Sequence, residues 1–237
     1  MTNFKDINAG KIPSKTLAEI LKIDFKVLAS AAFPEIPQEN LKEISKLKTT
    51  GILKRMILTA NILSQWDEKQ VLKSGSNHPS DTVRGWCAFI IGGRKNNLKQ
   101  KLADIKPFAD DPHFGVREWA WMAMRNDLSL DLDKTIKFLL PWTKDKSHFI
   151  RRFSSESIRP RGVWAPHISE LKDNPEIALP ILEALKNDSE KYVQDSVANW
   201  LNDAAKSKAI WVKEVCLRWE KEKVPPYVLK KAQRSLK

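Results

Sequence analysis

Apolar residues recur at three- and four-residue steps along most of the chain, and no long alternating pattern predicts a strand. "NNLKQKLADIKPFA", "LDKTIKFLLPWTK" and "PEIALPILEALKN" each predict an amphipathic helix. Each precedes a segment of another kind, and four such segments share one order: a turn, a β-branched residue, then usually a basic one. They are "PSDTVRGWCAFIIGG", "DDPHFGVREWAWMAMR", "DKSHFIRRFSSESIRP" and "NDSEKYVQDSVANWLNDAAK". The anchors Val83, Val116, Ile150 and Val193 stand 33, 34 and 43 residues apart; Arg84, Arg117 and Arg151 follow the first three, and Gln194 the fourth. Gly92-Gly93 and Pro160 stop helices, and Asp111-Pro112 starts one.

A helical pair repeated every 33 to 43 residues predicts an all-α, HEAT-like α-solenoid of stacked antiparallel helix pairs. One domain is expected over residues 1–237, with a helical N-terminal cap in 1–70, repeats in 71–207 and two C-terminal helices in 208–237, split at Pro225-Pro226. "NLKEISKLKTTGILKRMILTANILSQW" reads as one or two amphipathic helices of the cap. The last spacing is nine residues longer than the one before, and the excess falls on "RPRGVWAPH", expected to be a structured inserted loop. Insertions in a solenoid map to loops, often at the binding face.

Charge sharpens this picture. Lys and Arg number 41 against 29 Asp and Glu, a formal net of +12. A chain this basic, with clustered arginines, points to a polyanion, most commonly nucleic acid, and to a basic concave face on the solenoid. Cys87 and Cys216 are isolated, so neither a disulfide framework nor a cysteine zinc site is suggested. With no signal-like leader and no apolar run of membrane-spanning length, a cytoplasmic protein of the bacterial cytosol or nucleoid is expected.

"HFIRRFSSESIRPRGVWAP", residues 148–166, sets Arg151, Arg152, Arg159 and Arg161 around one carboxylate, Glu156. Arg152, Glu156 and Arg159 follow i, i+4, i+7 spacing and are expected on one helix face. Ser154, Ser155 and Ser157 keep that surface low, so that something large can approach. An exposed salt-bridge ladder is the plain alternative, worth a few tenths of a kcal/mol per pair.

This repeat-plus-loop pattern, with "ALPILEALKNDSEKYVQDSVANWLNDAAK" and "DDPHFGVREWAWMAMR", resembles the AlkC/AlkD family of HEAT-like-repeat DNA glycosylases, and more closely the AlkC branch. The resemblance covers roughly residues 75–207. It implies a curved stack of helix pairs holding duplex DNA, and excision of positively charged N-alkylated bases of the 3-methyladenine and 3-methylcytosine type without flipping the base into a pocket. The AlkD catalytic set is not carried over: Cys87 stands where that branch has its catalytic aspartate, and Glu156 where it has a lesion-facing tryptophan.

The chemistry of that reaction gives the residues roles. A cationic base leaves neutral and the sugar becomes oxocarbenium-like, so a carboxylate aimed at the sugar stabilises it. Glu156 is the first candidate, with Glu118 from the preceding repeat and Asp203 from the following one as further catalytic acids. Trp164 in the inserted loop and Trp119 are the lesion-binding candidates; of Trp119 and Trp121, two apart in one helix, at most one can face the groove. Arg84, Arg117, Arg151, Arg152, Arg159 and Arg161 are expected to bind DNA. His148 and His167 read as surface or capping residues. No metal, zinc motif or nucleotide loop is indicated, so no cofactor is expected, and the partner is duplex DNA met by a monomer. A non-catalytic helical-repeat module that binds nucleic acid would need the same arginines but would gain nothing from acids facing phosphate; a protein-binding scaffold would show apolar ridges instead.

Overall fold

A computed structural model describes residues 4–236, and every regular element among them is helical. The residues form two compact units, one up to Ala123 and one from Met124 on. The division falls inside a helix, not at the end of the expected cap. Among the described residues no helix is long and apolar enough to cross a membrane.

The first unit holds α1 Phe4–Asn8, α2 Leu17–Lys22, α3 Phe25–Ala32, α4 Gln38–Lys46, α5 Ile52–Gly75, α6 Asp81–Gly93, α7 Leu98–Ala109 and the start of α8 Phe114–Leu130. α5 lies along α6, α6 along α7, and α3 packs on α4 and α6. α5 is interrupted at Asp67, whose backbone turns extended (φ −158°, ψ 85°) and whose carboxylate caps the next turn by accepting the Gln70 N–H at 2.9 Å. Trp86 and Trp119 fill the core, Trp86 edge-on to Phe25 with ring centroids 5.3 Å apart. Gly85 permits that closeness: a Cβ there would stand 2.6 Å from Trp119 Cδ1.

The second unit holds the end of α8, then α9 Leu132–Leu139, α10 His148–Glu156, α11 Ser169–Asp173, α12 Leu179–Leu185, α13 Lys191–Ala205, α14 Ala209–Lys221 and α15 Pro226–Ala232. α13 is its centre and packs on α10, α12, α14 and α15. Ser154, Ser155 and Ser157 do not leave room for an approaching ligand as expected. All three are fully buried, and Ser155 Oγ lies 2.8 Å from Ser196 Oγ, so the small side chains let α10 close on α13.

All four anchors are buried, and the residue after each closes a repeated clasp. A side chain at position 78, 111, 145 or 188 accepts the N–H two residues on: His78 Nδ1 from Ser80 at 3.1 Å, Asp111 from His113 at 2.7 Å, Asp145 from Ser147 at 3.0 Å and Asp188 from Glu190 at 2.9 Å. Six residues after that position, a side chain donates back to its carbonyl. Arg84 Nη1 reaches His78 O, Arg117 Nη1 reaches Asp111 O at 2.7 Å, Arg151 Nη1 reaches Asp145 O at 3.0 Å and Gln194 Nε2 reaches Asp188 O at 2.8 Å. Two of the arginines also grip the aspartate of the next loop bidentately: Arg84 on Asp111 (2.7 and 3.1 Å) and Arg151 on Asp188 (2.6 and 2.9 Å).

This geometry corrects the expectation that Arg84, Arg117 and Arg151 grip DNA. Arg84 and Arg151 each make four hydrogen bonds inside the protein, and Arg117 is buried with Nη1 on the carbonyls of Asp111 and Pro112. They tie one repeat's helix start to its own loop, and Arg84 and Arg151 tie it also to the next. Breaking a largely buried ion pair leaves its partner unpaired. Arg151→Met is therefore expected to lower the unfolding free energy by about 2–4 kcal/mol, read from urea denaturation.

Candidate functional site

α10 ends at Glu156, so the helix face expected to carry Arg159 does not extend that far; Ser157 caps it, and residues 157–168 run as a loop to α11. Arg159 therefore reaches Glu156 from the turn and not along a helix. Its Nη1 donates to Glu156 Oε1 at 2.9 Å, while Nε and Nη2 donate to Asp203 Oδ2 at 3.0 and 2.6 Å. Arg152 Nη2 stands 3.6 Å from Glu156 Oε1, and its guanidinium lies 4.2 Å from the Tyr192 ring centroid. Ser196 donates to Glu156 Oε2 at 2.7 Å, and Lys206 donates to Asp203 Oδ1 at 3.2 Å. Two carboxylates from α10 and α13 are thus bridged by one guanidinium, with Glu156 only 4% exposed and Asp203 3%.

Burial works to raise the Glu156 pKa, but Arg152 and Arg159, with the hydrogen bonds from Ser196 and Arg159, overcome it and hold the group below the ordinary carboxylate value of 4.5. Burial also works to lower the Arg159 pKa, and Glu156 and Asp203 reverse it. The pair is charged at neutral pH. A carboxylate depressed on folding contributes stability above its unfolded pKa and loses it as pH falls through the folded one. The urea midpoint is therefore expected to drop below pH about 4.5, more steeply in the wild type than in Glu156→Gln.

The inserted loop is structured, and the residue that orders it carried no sequence signal. Arg125, in the α8 segment of this unit, is 1% exposed and donates to three loop carbonyls: Ser157 O at 3.0 Å, Arg159 O at 2.6 Å and Pro166 O at 2.8 Å. Burial, helped by Arg159, pushes its pKa down to about 10, so it stays protonated at neutral pH. Ile168 N closes the loop on Pro160 O at 3.1 Å, Trp200 Nε1 donates to Ile158 O at 3.0 Å, and Arg161 donates to Asp203 O and Ser207 Oγ. Gly162 sits flat on the Arg125 guanidinium, where a Cβ would come within 3.1 Å. Above this base the tip is open: Val163 is 57% and Trp164 47% exposed, and Trp164 holds a left-handed backbone (φ 61°) that a non-glycine residue rarely adopts.

The other expected residues lie elsewhere. Trp119 is 2% exposed in the core of the first unit, packed by Gly85 and Phe89, which corrects its reading as a lesion contact. Trp121 is also buried and donates Nε1–H to Glu118 at 2.6 Å. Glu118 belongs to the first unit, whereas Glu156 and Asp203 belong to the second. Cys87 is buried, its thiol pushed up to about 12 by desolvation.

A sequence profile described as "DNA alkylation repair enzyme" matches residues 116–236. The chain belongs to this family. The fold resembles the alkylpurine DNA glycosylase AlkC of Pseudomonas fluorescens, solved bound to DNA containing an abasic site analog: TM-score 0.72, 24% identity, all of this chain and 65% of that one. It also resembles AlkD2 of Streptococcus mutans, with TM-score 0.59, 21% identity, and coverage of 89% of this chain and 96% of that one. A Bacillus subtilis relative described as "Uncharacterized protein YhaZ" is 43% identical over 97 residues, which span 41% of this chain and 27% of that protein. The helix pairs are thus those of the HEAT-like solenoids of the AlkC and AlkD proteins. Family membership places Glu156, Asp203, Arg125 and the 157–168 loop inside the matched segment, and the first unit's α1 to α7 outside it.

Removing the Arg125 guanidinium leaves three carbonyls without their donor. Arg125→Met is expected to cost about 3 kcal/mol of stability and to open residues 157–168 to limited proteolysis, with cleavage mapped by mass spectrometry.

Proposed function

We propose that this chain is a DNA glycosylase that releases positively charged N-alkylated bases, of the 3-methyladenine and 3-methylcytosine type, from duplex DNA. The observation that carries the reading is Glu156: a carboxylate kept ionised by Arg152, Arg159 and Ser196 at the base of an ordered loop that presents Trp164. Membership of the DNA alkylation repair enzyme family and the fold shared with a DNA-bound glycosylase support it.

In the proposed reaction the bond from the sugar's anomeric carbon to the base nitrogen breaks. Its electron pair goes to the base, cancels the positive charge there, and the base leaves neutral without a general acid. The sugar carries the charge as an oxocarbenium-like cation. A preorganised carboxylate lowers the energy of that cation, and it can also orient the water that adds to the anomeric carbon and gives up its proton. Glu156 takes this part, Asp203 shares its arginine, and Glu118 is the remaining acid of the proposal. Trp164 offers its face to the cationic base. Arg161, whose Nε and Nη2 are engaged and whose Nη1 is not, together with Arg152 and Lys206, meets backbone phosphate. Arg159 positions the two acids.

Glu156→Gln removes the charge and keeps the shape. In single-turnover assays with methylated duplex DNA it is expected to slow cleavage ~10²-fold while DNA affinity holds or rises slightly. A wild-type rate at saturating protein would make Glu156 a structural partner of its arginines and shift the chemistry to Asp203 or Glu118. Neutral lesions need a protonated leaving group, so uracil in duplex DNA is expected to be released far more slowly than 3-methyladenine, measured as free base. Binding of methylated DNA with no base released would favour a non-catalytic module instead.

A further inference from the structure

In the first unit, far in sequence from the matched family segment, a cavity of about 470 Å³ opens between the α2–α3 turn, the end of α4 and the start of α5. Arg55 lies at its base, Phe25 and Ile44 form apolar walls, and Lys22, Lys26 and Lys48 stand around it, all three exposed. Arg55 is 8% exposed. Its guanidinium lies 4.4 Å from the Phe25 ring centroid and Nη2 donates to Leu21 O at 3.2 Å, but Nε is buried without a partner. Among the described residues no carboxylate forms an ion pair with Arg55 or with any of the three lysines.

Arg55 differs from the half-buried arginines that pair with acids. Arg84, Arg151 and Arg159 each hold an aspartate or a glutamate. Taking a guanidinium out of water is costly, and burial lowers the Arg55 pKa although the nearby Asp24 charge opposes it. The one acid in the lining, Asp24, has Oδ1 engaged as the cap of α3, accepting the Val27 N–H at 3.1 Å. Four cations against one acid call for an anion of more than one charge and several acceptor oxygens. A planar N–H donor set at the base with ammonium groups around the mouth suits a tetrahedral oxyanion better than a single carboxylate.

We infer that the cavity beneath Lys22, Lys26 and Lys48 is a phosphate-binding site, with Arg55 as its base. The phosphate is either a backbone diester of DNA or the phosphate of a small molecule, and both present the same oxygens.

The test uses the full chain and inorganic phosphate. Phosphate is expected to raise the melting temperature saturably, by roughly 3–5 °C at a tenfold excess over Kd and beyond sodium chloride of equal ionic strength. The triple variant Lys22→Ala/Lys26→Ala/Lys48→Ala, altered only at exposed residues that hold no carboxylate, should lose most of that rise, and Arg55→Lys should weaken it. Binding of undamaged duplex DNA across a salt series separates the sources. A backbone diester makes the triple variant's slope of log K against log salt shallower by about 0.9 for each phosphate it no longer neutralises. A small-molecule phosphate leaves that slope unchanged while the phosphate-dependent rise disappears. An equal rise in phosphate and chloride, or a full phosphate rise in the triple variant, overturns the inference. Neither readout involves base release, so the result stands apart from the glycosylase proposal.

Discussion

The architecture depends on what a helix start does with its polar groups when it is packed against a neighbour. Each repeat begins at a helix start whose N–H groups lack partners within the helix, and a group left unpaired where water cannot reach it costs roughly 1–3 kcal/mol. The solution recurs in the same register: an acceptor side chain at the first position, a guanidinium or amide six residues later returning to that position's carbonyl, and the anchor Val or Ile locked between them. The helix pairs stack because these ends are closed. The first repeat shows that the geometry matters more than the residue, since His78 takes the aspartate's place through Nδ1.

The 157–168 loop solves the same problem by other means. It has no register of its own to follow, so its carbonyls are gathered by one buried cation, Arg125, while Trp200 and Arg161 hold its flanks. That arrangement places a positive charge directly under the turn that carries Arg159, and Arg159 with Arg152 and Ser196 holds the buried Glu156 below the ordinary carboxylate value. The acids, Arg125 and Arg159 form one electrostatic unit in which each charge makes the next tolerable.

Much of this was legible in the sequence. The three- and four-residue periodicity, the four anchors and the excess length after the third of them led to an all-helical repeat fold with a structured loop, because burial of the anchors is what the periodicity records. The roles of individual charges were harder to read. Arg84, Arg117 and Arg151 looked like DNA contacts because their partners are backbone carbonyls and aspartates in neighbouring loops; the aspartate six residues ahead of Arg117 and Arg151 was the available clue. Arg125 and Arg55 stand alone in helical patterns, and what defines them, carbonyls in one case and a buried Nε without a partner in the other, has no letter in a sequence. Trp119 misled because α8 is apolar on more than one side, so spacing alone cannot say which tryptophan is inward.

The six-residue register of the clasp has a consequence for how such a chain can diverge. The third and fourth clasps are complete within residues 145–151 and 188–194, and the loop at 157–168 lies wholly between them. Insertions or deletions in the loop leave both registers intact, whereas a single-residue slip inside a clasp would strand its returning donor, Arg151 or Gln194, and turn its anchor out of the core. Descendants of one ancestor can therefore alter the reach and chemistry of the loop tip freely while inheriting the scaffold unchanged, so that variation in target and constancy of framework are written in separate stretches of the same gene.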